Sequence, residues 1–294
     1  QRTISICEYV EGNFSIDSRA YHNLTEAEKK VILDYELTVY WCDGTDREKY
    51  NWFETINIAG EELSPQELRS AVYHGSWVSD ARKYFSKSAN HSKKCMAEKI
   101  GGSYLKGDCT RQEYLETVIR WIAGAKNDEQ IRDYMSIHQH DEDAHELKNY
   151  FKKVIDWVQT VYPKYYKEMK GIDWGRLFGK YKDSDFNVDK LAVSVAELMQ
   201  DREVTNKKGI FEYLLSHNEA LLSLRQFDDT DKRELYEACG GICPHCVKEG
   251  REKTHWKIEE MEADHITPWC EGGKTEISNG QMLCREHNRR KSNK

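Results

Sequence analysis

The sequence predicts an α+β protein, predominantly helical, in three parts: a mixed α/β region over residues 1–110, a helical middle over 111–228, and a metal-stapled module over 229–294. Three observations carry this reading. Near the N-terminus, Glu36 to Cys42 alternates β-branched and aromatic residues as a strand does. The middle repeats apolar residues at helical spacing, and the last part gives up that periodicity for Gly, Cys and His.

Thr25 with Glu28, and Ser64-Pro65 with Glu67, have the form of capping boxes, so helices are predicted near 25–35 and 64–73. In the middle, Leu147, Tyr150, Phe151, Val154, Ile155 and Val158 lie on one helical face. Trp121, Phe151, Trp157, Tyr162 and Trp174, at similar spacing, are read as core rather than as the lining of a ligand pocket. Polar turns at Gly124–Asp128 and Asp183–Asp189 separate helices. A polar stretch at Phe227–Lys232 leads into a last short helix, Arg233–Ala238, and a domain boundary is expected there.

The net charge of −7 argues against a surface that grips nucleic acid all over, since phosphate binding needs local positive charge. Any DNA site must be a patch, and Arg285, Arg289, Arg290, Lys291 and Lys294 supply one. No run of about eighteen apolar residues is present, so no membrane partner is expected. Gln1 to Tyr9 lack the basic-then-apolar layout of a secretory signal, and the expected location is the cytoplasm. Beginning at Gln1, the chain is expected to extend further upstream in its natural form.

Of nine cysteines, Cys239, Cys243, Cys246, Cys270 and Cys284 crowd the C-terminal part with metal-type spacing. The others, Cys7, Cys42, Cys95 and Cys109, are read as scattered buried or idle thiols. Cys243 and Cys246 form a C-x-x-C knuckle, and Cys284 and His287 form a C-x-x-H pair. Two such pairs suit a closed tetrahedral Zn²⁺ site that replaces a hydrophobic core. His245 and Cys239 are alternative ligands close to the knuckle.

Between the two pairs stand MEADHITP (261–268), Gly272-Gly273 and Asn279, and after them NRRK (288–291). This order resembles the HNH endonuclease superfamily over about residues 236–292. The resemblance implies a ββα-metal fold, with Asp264 and Asn288 as ligands of a catalytic Mg²⁺ or Mn²⁺ and His265 as general base. It gives Asn279 the task of tying a loop near His265. Arg289, Arg290 and Lys291 would reach DNA phosphates. A strand is predicted over Lys257–Ala263, and neighbours at its end point to opposite faces, so Asp264 and His265 can serve different partners.

Further upstream, QRTIS (1–5), WFETINIAG (52–60), Leu63 and QELR (66–69) resemble the GmrSD-type restriction domain, which is ParB/sulfiredoxin-like. That resemblance implies a nucleotide partner, sensing of modified DNA and a role in restriction or phage defence. Gln1, Arg2, Asn57 and Arg69 would be its phosphate contacts, and the Asp-Gly half of its opening motif is missing here. The expected function is thus a metal-dependent DNA endonuclease, with homodimerisation the route to cutting both strands. The alternatives are a zinc-stabilised DNA-binding module without catalysis and a nucleotide-responsive regulator.

Overall fold

The computed structural model describes residues 2–36, 39, 41, 43–57, 63–86 and 94–292. The chain divides into two compact units, residues 1–52 and 53–294. In the first, helix α1 (Arg2–Val10) precedes α2 (Glu26–Leu33), and buried Tyr9 sets its ring tilted 5.5 Å from Phe14 and edge-on 6.0 Å from Tyr21. The capping box at Thr25 and Glu28 is formed, so α2 starts where the sequence places it. The division between units falls within α3 (Asp46–Asn57).

The strand expected over 36–42 falls largely outside the described residues, and those described, Glu36, Val39 and Trp41, carry no strand. Cys42, Gln1, Gly60, Lys294 and the side chains of Arg2 and Asn57 also lie outside them.

The second unit is a helical body followed by a small mixed module. Its helices are α4 (Pro65–Val72), α5 (Ser76–Phe85), α6 (Met96–Gly101), α7 (Glu113–Ala123), α8 (Asp128–His138) and α9 (His145–Val161). There follow α10 (Trp174–Tyr181), α11 (Val188–Gln200) and α12 (Ile210–Ser216). Ser64 and Glu67 close a second capping box, and proline at the first helical position supplies the φ that α4 needs. Leu147, Phe151, Val154, Ile155 and Val158 of α9 are fully buried, as their spacing predicts. Phe151, Tyr162 and Trp174 join the same core with Trp121, and Trp157 packs against its edge.

Two corrections arise in this body. Arg69, expected at a phosphate, is fully buried, with its guanidinium 2.8 Å from Glu116 and 3.7 Å from Asp128. It is a core cation held by carboxylates, because a charge that has left water must be paired. Replacing Glu116 with alanine would strip away the nearer carboxylate; a loss on the order of 3 kcal/mol in chemical denaturation is expected. Nor are the upstream cysteines all scattered singly: buried Cys95 lies beside Cys109 and Glu98, while Cys7 is exposed. Burial, with Cys95 and Glu98 close by, pushes the Cys109 thiol up to about 12, so it is protonated at neutral pH.

From Phe227 onward a separate small core forms around Leu235, Met261, Met282 and Leu283. Helix α13 spans Asp229–Cys239, longer than the predicted Arg233–Ala238, because Asp228 accepts from the amides of Thr230 and Asp231 and turns the polar stretch into a first helical turn. Helix α14 (Pro244–Lys248) follows, then β1 (Met261–His265), β2 (Gly280–Cys284) and α15 (Arg285–Ser292). The predicted strand over 257–263 begins later, since Ile258–Glu260 is a 3₁₀ turn. β1 and β2 pair antiparallel, with Asp264 opposite Gln281 and His265 opposite Gly280. α13 rests Leu235 on Gly280, where a Cβ would stand 2.6 Å from the leucine Cδ1, so a larger residue there would require the leucine side chain to shift. No helix among the described residues is long and apolar enough to cross a membrane.

Candidate functional site

The C-terminal module presents two groups of polar side chains around β1, β2 and α15. The first is the knuckle. Cys243 caps α14, Cys246 sits one turn on, Cys284 ends β2, and His287 lies in the first turn of α15. All four are buried, and their ligand atoms lie within 4.8 Å of one another.

The spacing within this group is that of a coordination shell. Cys246 Sγ and Cys284 Sγ stand 3.8 Å apart, and His287 Nδ1 is 3.5, 3.4 and 3.2 Å from the sulfurs of Cys243, Cys246 and Cys284. A tetrahedral Zn²⁺ with ordinary bond lengths has S···S edges of about 3.8 Å and S···N edges of about 3.5 Å. The donor set therefore fits zinc in size as well as in chemistry. Cys239 and His245 stand outside the group.

The thiols are not equivalent. Burial opposes ionisation of Cys243, but the amides of Cys284 and Cys246 and the His287 ring outweigh it and bring the thiol down to about 7. Burial and the neighbouring thiols of Cys243 and Cys284 push Cys246 up to about 12. His287 Nε2 lies 3.0 Å from the Glu249 carboxylate, which turns Nδ1 toward the sulfurs. His287 and then Arg251 hold Glu249 down to about 2.

The second group straddles β1. Strand geometry sends alternate side chains to opposite faces, and Glu262 and Asp264 share the face toward α15. Asn288 Nδ2 donates to Glu262 Oε2 at 2.5 Å, and Lys291 Nζ donates to Asp264 Oδ2 at 2.5 Å and to the His265 carbonyl oxygen. Gln281, opposite Asp264 on β2, donates to the same Asp264 oxygen at 3.3 Å. Glu262 and Asp264 thus each meet a polar side chain of α15, Asn288 and Lys291 respectively.

His265 points the other way. Its Nε2 is 2.9 Å from Thr275 Oγ1, and its ring lies 4.6 Å from that of Phe227, tilted by 35°. Asn279 ties the intervening loop at both ends: its Oδ1 accepts from the Thr267 amide at 2.9 Å, and its Nδ2 donates to the carbonyls of Thr267 and Lys274 at 3.0 Å each. Gly273 closes this loop so tightly that a Cβ there would collide with the Thr267 carbonyl oxygen.

Of the three cations assigned to DNA, Arg289 and Arg290 are exposed, and Arg290 pairs with Glu249 at 2.9 Å. Lys291 is turned inward onto Asp264. The sequence reading missed Glu262, although a carboxylate two residues before Asp264 shares its face on any strand. It also missed Thr275, Phe227 and Glu203, which no local spacing connects to His265.

Residues 243–294 match the family model described as HNH endonuclease. No curated protein and no solved structure matches the chain. The matched segment covers the knuckle, the hairpin and the final helix, and supports a metal-dependent nuclease domain in this part of the chain.

Proposed function

We propose that the chain is a metal-dependent HNH DNA endonuclease that hydrolyses phosphodiester bonds in restriction or phage defence. The observation that carries the reading is the division of side chains across β1, with oxygen donors toward α15 and an imidazole on the opposite face. His265 takes the proton from the attacking water, a task suited to a neutral imidazole near pH 7. Asp264 and Asn288 are the residues that would hold Mg²⁺ or Mn²⁺. When bound, such an ion stabilises charge on the phosphate and on the leaving oxygen.

The donors suit a hard cation, being carboxylate and amide oxygens, and Asp264 already attracts the Lys291 ammonium. Asn279 keeps the loop after His265 in place. The exposed guanidinium groups of Arg289 and Arg290 on α15 offer charge to phosphates, and Lys291 adds to it on release from Asp264. Zinc at Cys243, Cys246, Cys284 and His287 is structural. The motifs at 1–5 and 52–69 support residues 1–110 as a GmrSD-type sensing region for a nucleotide or modified DNA. Residues 111–228 connect it to the cutter at 229–294, and dimerisation would bring two cutters to one duplex.

Nicking of supercoiled plasmid with and without Mg²⁺ tests the reading. Relaxed circles are expected only with the metal, and Asn288→Ala is expected to raise the Mg²⁺ concentration at half-maximal rate about tenfold or more. DNA retention in a gel shift without any nicking would favour the zinc-stabilised binding module instead.

A further inference from the structure

We propose that Glu203, a residue of the helical body 40 positions before the matched segment begins, acts through Thr275 to hold the His265 imidazole in the tautomer and orientation a general base requires. The inference rests on the assignment of His265 as the base and adds a residue from outside the nuclease module to its machinery.

Thr275 is buried, and its hydroxyl oxygen has three neighbours: Glu203 Oε2 at 2.5 Å, the Arg225 carbonyl oxygen at 3.3 Å and His265 Nε2 at 2.9 Å. A hydroxyl has one proton to donate. A carboxylate oxygen and a peptide carbonyl can only accept, so that proton goes to one of them, and the short contact selects Glu203. Toward His265 the oxygen is therefore an acceptor. The imidazole must bring the proton itself, at Nε2, which leaves the lone pair at Nδ1.

Phe227 packs against the ring from one side. Glu203 also accepts from the Thr275 amide at 3.1 Å, so its carboxylate holds both the hydroxyl and the backbone of the residue that faces His265. Glu203 is itself placed by Asp201, whose Oδ1 accepts from the Glu203 amide at 2.9 Å. Glu203 and Thr275 are positioning residues: neither is called on to touch DNA or metal. With the acceptor removed, Nε2–H has no partner on that side and the imidazole can exchange tautomers or rotate.

A purely structural role would be to dock the hairpin loop on the helical body, and the variants separate the two. Thr275→Val keeps the volume and the backbone bond to Glu203 but removes the hydroxyl. In the full chain it is expected to lower kcat tenfold or more, with KM, zinc content and half-saturating Mg²⁺ unchanged, and Thr275→Ser is expected to restore the rate. Trp269→Phe removes another bond across the same contact, Trp269 Nε1 to Asp201 Oδ2 at 2.8 Å, and is expected to leave kcat within twofold. In ¹⁵N-histidine spectra of the wild-type chain, the signals lost in His265→Ala should show the Nε2–H tautomer, and Thr275→Val should shift them toward a mixture.

A wild-type rate for Thr275→Val beside an inactive His265→Ala would overturn the relay and leave the base assignment standing. An Nδ1–H tautomer in the wild type, or a loss in Trp269→Phe equal to that in Thr275→Val, would also overturn it. Normal cutting by His265→Ala would remove the base assignment and the relay with it.

Discussion

Replacing His265 with alanine is expected to slow cleavage by about 10²- to 10⁴-fold, the range a positioned general base contributes. The effect should fall on kcat. His265 is no member of the Cys243, Cys246, Cys284 and His287 group, and its ring meets Thr275 and Phe227, so zinc content should stay at one equivalent. Gel-shift affinity for DNA should change little, because the exposed guanidinium groups of Arg289 and Arg290 lie on α15 and not on β1. Plasmid nicking under single-turnover conditions measures the loss, and a near-normal rate would contradict the base assignment.

The second large effect is expected from Cys284→Ser. Around the knuckle the apolar core is small, Leu235, Met261, Met282 and Leu283 with the cysteines themselves. A core of that size is too small to hold a module together alone, and zinc binding, on the order of 10 kcal/mol or more for such sites, would supply its folding free energy. Serine offers no thiolate and leaves three ligands. Bound zinc should drop from one equivalent toward none and cleavage should vanish. The helical body has its own core, from Tyr73 to Leu222, so most of the helical circular dichroism should persist. Full zinc occupancy with unchanged melting would count against a structural zinc site.

The group of three cysteines and a histidine is legible in the sequence because its chemistry is local. C-x-x-C and C-x-x-H each place two ligands within one turn, and only the joining of the pairs depends on the fold. The alternation of Asp264 and His265 is legible for the same reason: a strand separates neighbours by face whatever surrounds it. The capping boxes at Thr25 and Ser64 are formed as written.

What escapes such reading is set by long-range packing. Glu203 reaches Thr275 across 72 residues, and no periodicity announces it. Arg69 sits in a motif that resembles a phosphate-contact segment, yet burial against Glu116 decides its partner. The strand start moved from Lys257 to Met261 because Glu260 accepts from the Lys257 amide at 3.0 Å and draws the chain into a 3₁₀ turn, a side-chain choice that apolar spacing does not register.

Two metals are expected to serve the module in different ways, zinc closed within thiolates and a hard divalent ion openly held at Asp264 and Asn288. Brief EDTA treatment followed by a plasmid-nicking assay and a zinc measurement on the same sample tests it most directly. Thiolate-bound zinc in a closed site should survive the treatment, and the hard ion, held by few protein oxygens, should be stripped at once. Cleavage should stop with zinc still at one equivalent and the melting profile unchanged, and Mg²⁺ or Mn²⁺ should restore it without refolding. Cleavage that persists in EDTA, or that returns only with Zn²⁺ and refolding, would contradict a hard-metal site at Asp264 and Asn288.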